Sequence, residues 1–233
     1  MDSRDVIIVI GNPGSGKSCI LNTLAQKTVF KSGISIGTGL TTHCDKFEDN
    51  RFILIDTPGV NDCDRTIREN AAKEIRHCFE NYIGKNVKII FIITLESGRL
   101  RPADNLLIIL IHEAINMGSD YSIIFNKLEK SVMNKFEYQK LSYLDGYDLI
   151  PTNSVLLRQY NPEMDCADNY LDILDDKLIN FIMDAPYHKV PKDVQDIRHH
   201  MFEIDIEYLE EQQMMLKDEC NKMIECSSDL INI

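Results

Sequence analysis

Apolar residues fall into short unbroken runs, and longer stretches of helical spacing separate them. Val6-Ile7-Ile8-Val9-Ile10 is β-branched throughout and stops at Gly11, which predicts a strand buried on both faces. Runs at 52–55, 87–93, 121–125 and 147–150 predict further strands, and the polar residues 45–48 a shorter one. The intervening segments 18–26, 65–82, 102–116, 129–140 and 168–183 read as helices, with Pro102 suited to a first turn. Strands alternating with helices predict an α/β fold: a mostly parallel, doubly wound sheet with helices on both faces.

After Pro191 glycine disappears and Glu, Gln, Met, Lys and Ile dominate. Val194, Ile197, Met201, Ile204 and Tyr208 form one stripe at helical spacing, and Leu216, Met223, Cys226 and Leu230 a second. The chain therefore divides into a main domain over 1–188 and a C-terminal helical extension over 189–233. That extension packs on its own domain or on a second chain.

Composition narrows the partners. A formal charge of −12 points away from nucleic acid, whose phosphate backbone needs a cationic surface. The start of the chain lacks a secretory pattern, and the apolar run 106–111 is too short to span a bilayer. Seven cysteines without CxxC spacing predict free thiols in a reducing, cytoplasmic setting. His199-His200 and the pair Cys220 and Cys226 fit no zinc spacing.

The first strand leads into Gly11-Asn12-Pro13-Gly14-Ser15-Gly16-Lys17-Ser18, the G-x-x-x-x-G-K-[ST] pattern, and a helix follows. Backbone N–H groups between Asn12 and Cys19, Pro13 apart, can turn around an anion at that helix start. Lys17 is expected to bridge the β- and γ-phosphates and Ser18 to hold Mg²⁺. Asp56-Thr57-Pro58-Gly59 ends a buried strand, where Asp56 can hold Mg²⁺ and the Gly59 N–H can reach a γ-phosphate. Between the two motifs, Gly37-Thr38-Gly39-Leu40-Thr41-Thr42 suits a first switch, with Thr41 favoured over Thr42 and Thr38 as the closing ligand. Asn126-Lys127-Leu128-Glu129 stands where guanine is read, with Glu129 in place of the usual aspartate. Asn153, in Pro151-Thr152-Asn153-Ser154, is a candidate second base contact.

These residues resemble the TRAFAC-class GTPases related to septins, and most of all the AIG-type (immunity-associated nucleotide-binding) G domains. The resemblance spans 5–186, and the box Leu95-Glu96-Ser97-Gly98-Arg99-Leu100-Arg101-Pro102-Ala103-Asp104 narrows it to that family. It implies a P-loop G domain that binds GTP or GDP with Mg²⁺ and pairs across its nucleotide face as a homodimer or oligomer, GTP favouring the dimer.

Val60 stands where many small GTPases carry a glutamine that orients water, so slow intrinsic hydrolysis is expected. Arg99, with Arg101 as the alternative, is the candidate arginine finger supplied across a dimer. Two other functions fit parts of the pattern: a nucleotide-holding pseudo-GTPase scaffold, and a P-loop ATPase or kinase.

Overall fold

The structure is a computed structural model that describes residues 4–33, 40–60, 64–96, 98–136, 151, 155–165 and 168–197. The compact unit ends at Ile197. The predicted strand at 147–150 and the helix beyond 197 lie outside the described residues, as do Thr38 and Asn153.

In chain order the elements are β1 (Asp5–Ile10), α1 (Lys17–Ala25), β2 (Asp45–Glu48), β3 (Phe52–Asp56), α2 (Arg65–Glu80), β4 (Asn86–Glu96) and β5 (Arg99–Leu100). They continue with α3 (Pro102–Ile115), β6 (Ser122–Leu128), α4 (Lys130–Met133), β7 (Val155–Gln159), a 3₁₀ turn (Pro162–Asp165), α5 (Asp176–Asp184) and β8 (Tyr187–Lys189). The sheet runs β2-β3-β1-β4-β6-β7. The pairs β1–β3, β1–β4, β4–β6 and β6–β7 are parallel, whereas β2 joins antiparallel to β3, and β5 and β8 to β4.

Alternation along the central strands divides the core in two. Ile7, Val9, Leu54, Ile90 and Ile92 face Ile20, Leu21 and Leu24 of α1 and Leu178 and Ile182 of α5. Ile8, Ile10, Ile53, Ile55, Ile89 and Phe91 take the opposite face and are buried as well. Continuous apolar runs were needed because neither face meets water. Val190, Val194 and Ile197 are buried, and Gln195 N–H donates to Ala114 O at 2.8 Å, so residues 190–197 pack within this unit.

Two expectations shorten. The helix expected over 168–183 begins only at Asp176, because the Asp175 carboxylate caps it by accepting from Leu178 N–H at 2.7 Å. Upstream, Asn169 at φ 57° and Asp172, held by Arg158 at 2.6 Å, draw the backbone away from helix. Of the helix expected over 129–140, the described residues contain one turn, Lys130–Met133. Two strands had no clear pattern: β7 is half-buried and mixed in polarity, and β8 is three residues long. Among the described residues no helix is long and apolar enough to cross a membrane.

Candidate functional site

Parallel strands β1, β3, β4 and β6 all present their carboxyl ends to one edge, and the candidate residues gather there. The loop from Gly11 is tightened by Ser15 N–H on Asn12 O at 3.2 Å and passes into α1 through Gly16 at φ 95°. A side chain at Gly16 would put its Cβ 2.5 Å from Asn126 Nδ2, so only glycine fits. Asn126 in turn donates to Ser15 O at 2.9 Å. One hydrogen bond thus joins the phosphate loop to the strand carrying the base motif.

Lys17 is buried, and its ammonium donates to Gly11 O at 2.9 Å and Asn12 O at 3.4 Å. Burial pushes its pKa down, while the nearby Asp56 and Asp104 charges oppose that shift. Ser18 Oγ donates to Asp56 Oδ2 at 2.6 Å, Thr41 Oγ1 donates to the same oxygen at 3.2 Å, and the two hydroxyls lie 3.5 Å apart. Burial raises the Asp56 pKa, and Lys17 with the two hydroxyls counters it.

Asp56 Oδ1 is buried without a hydrogen-bond partner, as are Ser15 Oγ and Asn12 Oδ1. Unpartnered buried oxygens are costly, and these three, in the Gly11–Ser18 loop and at the end of β3, suit a site that takes a cation and an anion. Ser18, Thr41 and Asp56 supply the hard oxygen donors that suit Mg²⁺.

Gly59 lies against the Pro13 ring, where a Cβ would collide, so the second motif packs directly on the phosphate loop. Thr57 Oγ1 fixes the approach by donating to Val9 O at 2.8 Å. Val60 is buried. Thr41, Pro58 and Gly59 border a cleft of about 490 Å³ that runs toward α2, while Thr42, also on that cleft, is exposed. Gly14, at φ 76°, completes the loop. Cys19 is buried, its thiol pushed up to about 11 by that burial, and its Sγ donates to Tyr170 O at 3.8 Å.

The base-motif residues separate. Asn126 is buried against the loop, Lys127 is half-buried at φ 58° beside Gly16, and Glu129 is exposed with Ser131 Oγ on its carboxylate at 3.3 Å. Asn153 precedes β7, whose carboxyl end at Gln159 leads into Tyr160 and Asn161. Because β7 runs parallel to β6, the residues after Gln159 reach the same sheet edge as the end of β6, while Asn153 itself lies outside the described residues.

The box splits its two arginines. Arg99 is exposed on β5, paired with Glu96 at the end of β4. Arg101 is committed within the chain, with Nε and Nη2 on Asp104 at 2.8 and 3.0 Å. Asp104, itself buried, also accepts from Asn12 Nδ2 at 2.7 Å, a link between box and phosphate loop across 92 residues that no local pattern signals.

The chain is 25% identical over 164 residues to the probable GTP-binding protein EngB of Mycoplasmoides gallisepticum, which covers 70% of this chain and 84% of that one. In fold it is similar to Toc33 from Arabidopsis thaliana. The complex with Mg²⁺ and GMPPNP gives a TM-score of 0.51 at 12% identity, over 79% of this chain and 87% of that one. The complex with GDP and Mg²⁺ gives 0.50 at 14%, over 84% and 80%. The model of the 50S ribosome-binding GTPase family matches residues 6–127, just over half of the sequence. With the phosphate loop, Asp56 and Asn126 all inside that span, the chain belongs to this family of P-loop GTPases.

Proposed function

We propose that the chain binds GTP with Mg²⁺ and hydrolyses it slowly to GDP and phosphate, acting as an AIG-type switch that pairs across its nucleotide face. The observation that carries this reading is the convergence of Ser18 and Thr41 on Asp56, whose second oxygen is left without a partner, beside the buried Lys17. Mg²⁺ bound by Ser18, Thr41 and Asp56 supplies positive charge against the phosphates. Lys17 exchanges its loop carbonyls for phosphate oxygens, and Gly59 offers its N–H to the γ-phosphate. Glu129 takes the place of the carboxylate that accepts from guanine.

Buried Val60 cannot orient water, so the missing group comes from a second copy. Arg99 is exposed at the same sheet edge, whereas Arg101 is held by Asp104, so Arg99 is the finger. Phosphate release per molecule should rise with protein concentration, and Arg99→Ala should remove that rise while leaving GTP affinity intact. A rise that survives the substitution rejects the finger.

Titration of GTP against ATP, with and without Mg²⁺, tests the nucleotide assignment. Tighter ATP binding would favour an ATPase or kinase. Val60 and Glu129 also support a second reading, a scaffold that holds nucleotide without turnover; phosphate release that stays absent at every concentration would establish it. The charge of −12 points this chain away from ribosomal RNA and toward protein partners, in the cytoplasm. The extension over 189–233 would pack on its own domain or on the second copy.

A further inference from the structure

Beneath α2, away from the phosphate loop, two thiols meet. Cys44 lies three residues after Thr41, and its Sγ donates to Glu74 O at 3.4 Å while its N–H donates to the Glu74 carboxylate at 3.3 Å. Glu74 and Cys78 are one helical turn apart on α2, so that carbonyl is also the helical acceptor for Cys78 N–H. Cys44 Sγ and Cys78 N–H are thus aimed at one carbonyl, the second thiol lies close enough to perturb the first, and both are free. They share the wall of a cavity of about 1090 Å³, which also reaches Val6, Ile53, Ile55 and Tyr82. Cys44 is half-buried and Cys78 buried, so a small reagent entering the cavity meets Cys44 first. Among the described residues no group of three His, Cys, Asp or Glu side chains is placed for a metal.

We propose that Cys44 and Cys78 form an oxidisable dithiol whose oxidant is a low-molecular-weight disulfide, and that the bond fastens the Thr41 segment to α2. Cys44, as thiolate, attacks the small disulfide and expels one thiolate; Cys78, as thiolate, then attacks the Cys44 sulfur and expels the second. The two protons lost by the cysteines end on the two released thiols, and the oxidant carries away both electrons. The latch rests on the reading of Thr41 as the switch threonine, but the disulfide itself does not.

Exchange is slow at neutral pH. The nearby Cys78 thiol, then burial, and the charges of Glu74 and Asp56 hold the Cys44 thiol far above its ordinary range. His43, bonded to Glu74 at 3.5 Å, and His77, Lys46 and Glu48 on the cavity wall complete its charged surroundings. The thiolate fraction, and with it the rate, should grow about tenfold per pH unit.

The test incubates the reduced full chain with oxidised glutathione at about pH 8.5 and maps its peptides by mass. The expected product links the peptides of Cys44 and Cys78. Cys78→Ser should leave glutathione on Cys44, and Cys44→Ser should leave Cys78 unmodified. A Cys44–glutathione adduct that never resolves in the unsubstituted chain, or linkage only to other cysteines, overturns the proposal. The oxidised chain should release a fluorescent GTP analogue with Mg²⁺ about fivefold more slowly or less, reversibly with reductant. A linked chain with unchanged release removes the latch. Failure of the reduced chain to bind GTP would instead reject the proposed function and leave the peptide map readable.

Discussion

Two buried lysines sit at opposite edges of the same sheet, and their surroundings differ in kind. Lys88, on β4 at the amino edge, donates to Ile182 O at 3.1 Å and Met183 O at 2.7 Å, pairs with Asp5 at 2.9 Å and lies under the Tyr187 ring. Its three protons all find acceptors, two of them at the end of α5, where the helix dipole favours a cation. Lys17, at the carboxyl edge, reaches only its own loop carbonyls, one of them at 3.4 Å, and lies near a carboxylate with an unpartnered oxygen. A satisfied buried charge fixes structure, whereas an under-satisfied one is held ready for a ligand.

Replacing each lysine should separate the two roles. On the proposed reading, in which Lys17 bonds two phosphates, Lys17→Ala should weaken GTP binding at least about a hundredfold. Its folded pKa lies below the unfolded value, so carrying the proton costs stability at any pH below the folded pKa. The nucleotide-free variant should accordingly melt no lower than the parent at neutral pH; a large drop would erase the contrast.

Lys88→Met should do the reverse. It removes the cation beside Asp5 and the donor to two helix-end carbonyls, so urea unfolding should show a loss of about 3 kcal/mol. GTP affinity should stay within about twofold, because the site is distant. A third substitution sits between the two. Asp104→Asn keeps the shape but weakens the hold on Arg101 and Asn12, and should cost about 1.5 kcal/mol in urea unfolding with a several-fold loss of GTP affinity.

The smallest effect is a pH dependence. The Tyr187 hydroxyl donates to Asp5 at 2.5 Å, and that bond pushes its pKa up to about 12 from 10.0. A raised folded pKa means the contribution is whole below pH 10 and is lost as pH rises toward 12. The stability difference between the parent and Tyr187→Phe should therefore shrink across that window in chemical denaturation.

What could be read in the sequence follows from range. The strand before Gly11, the spacing to Lys17 and Ser18, and the strand ending at Asp56 are local patterns whose chemistry depends on neighbours along the chain. Asp104 reads only as part of a family box, because its partners lie 3 and 92 residues away. Cys44 and Cys78 likewise have no spacing rule that joins them. β7 was hidden because a half-buried edge strand shows neither a full apolar run nor clean alternation. The helix at 168–183 was overextended because periodicity continues through Asp172 and Asp175, where side chains compete for the backbone.

The bond from Asn126 to the Ser15 carbonyl bears on how the protein is made. Synthesis delivers β1 and the phosphate loop ahead of β3 and β4, yet β1 must wait for those strands on its two sides. The loop then waits for Asn126, and Lys88 for Ile182 and Met183. A nascent chain halted before residue 126 carries the whole G-x-x-x-x-G-K-S motif but lacks the hydrogen bond that braces its loop. Nucleotide then acts as a reward for finishing the domain, and not as a template for starting it.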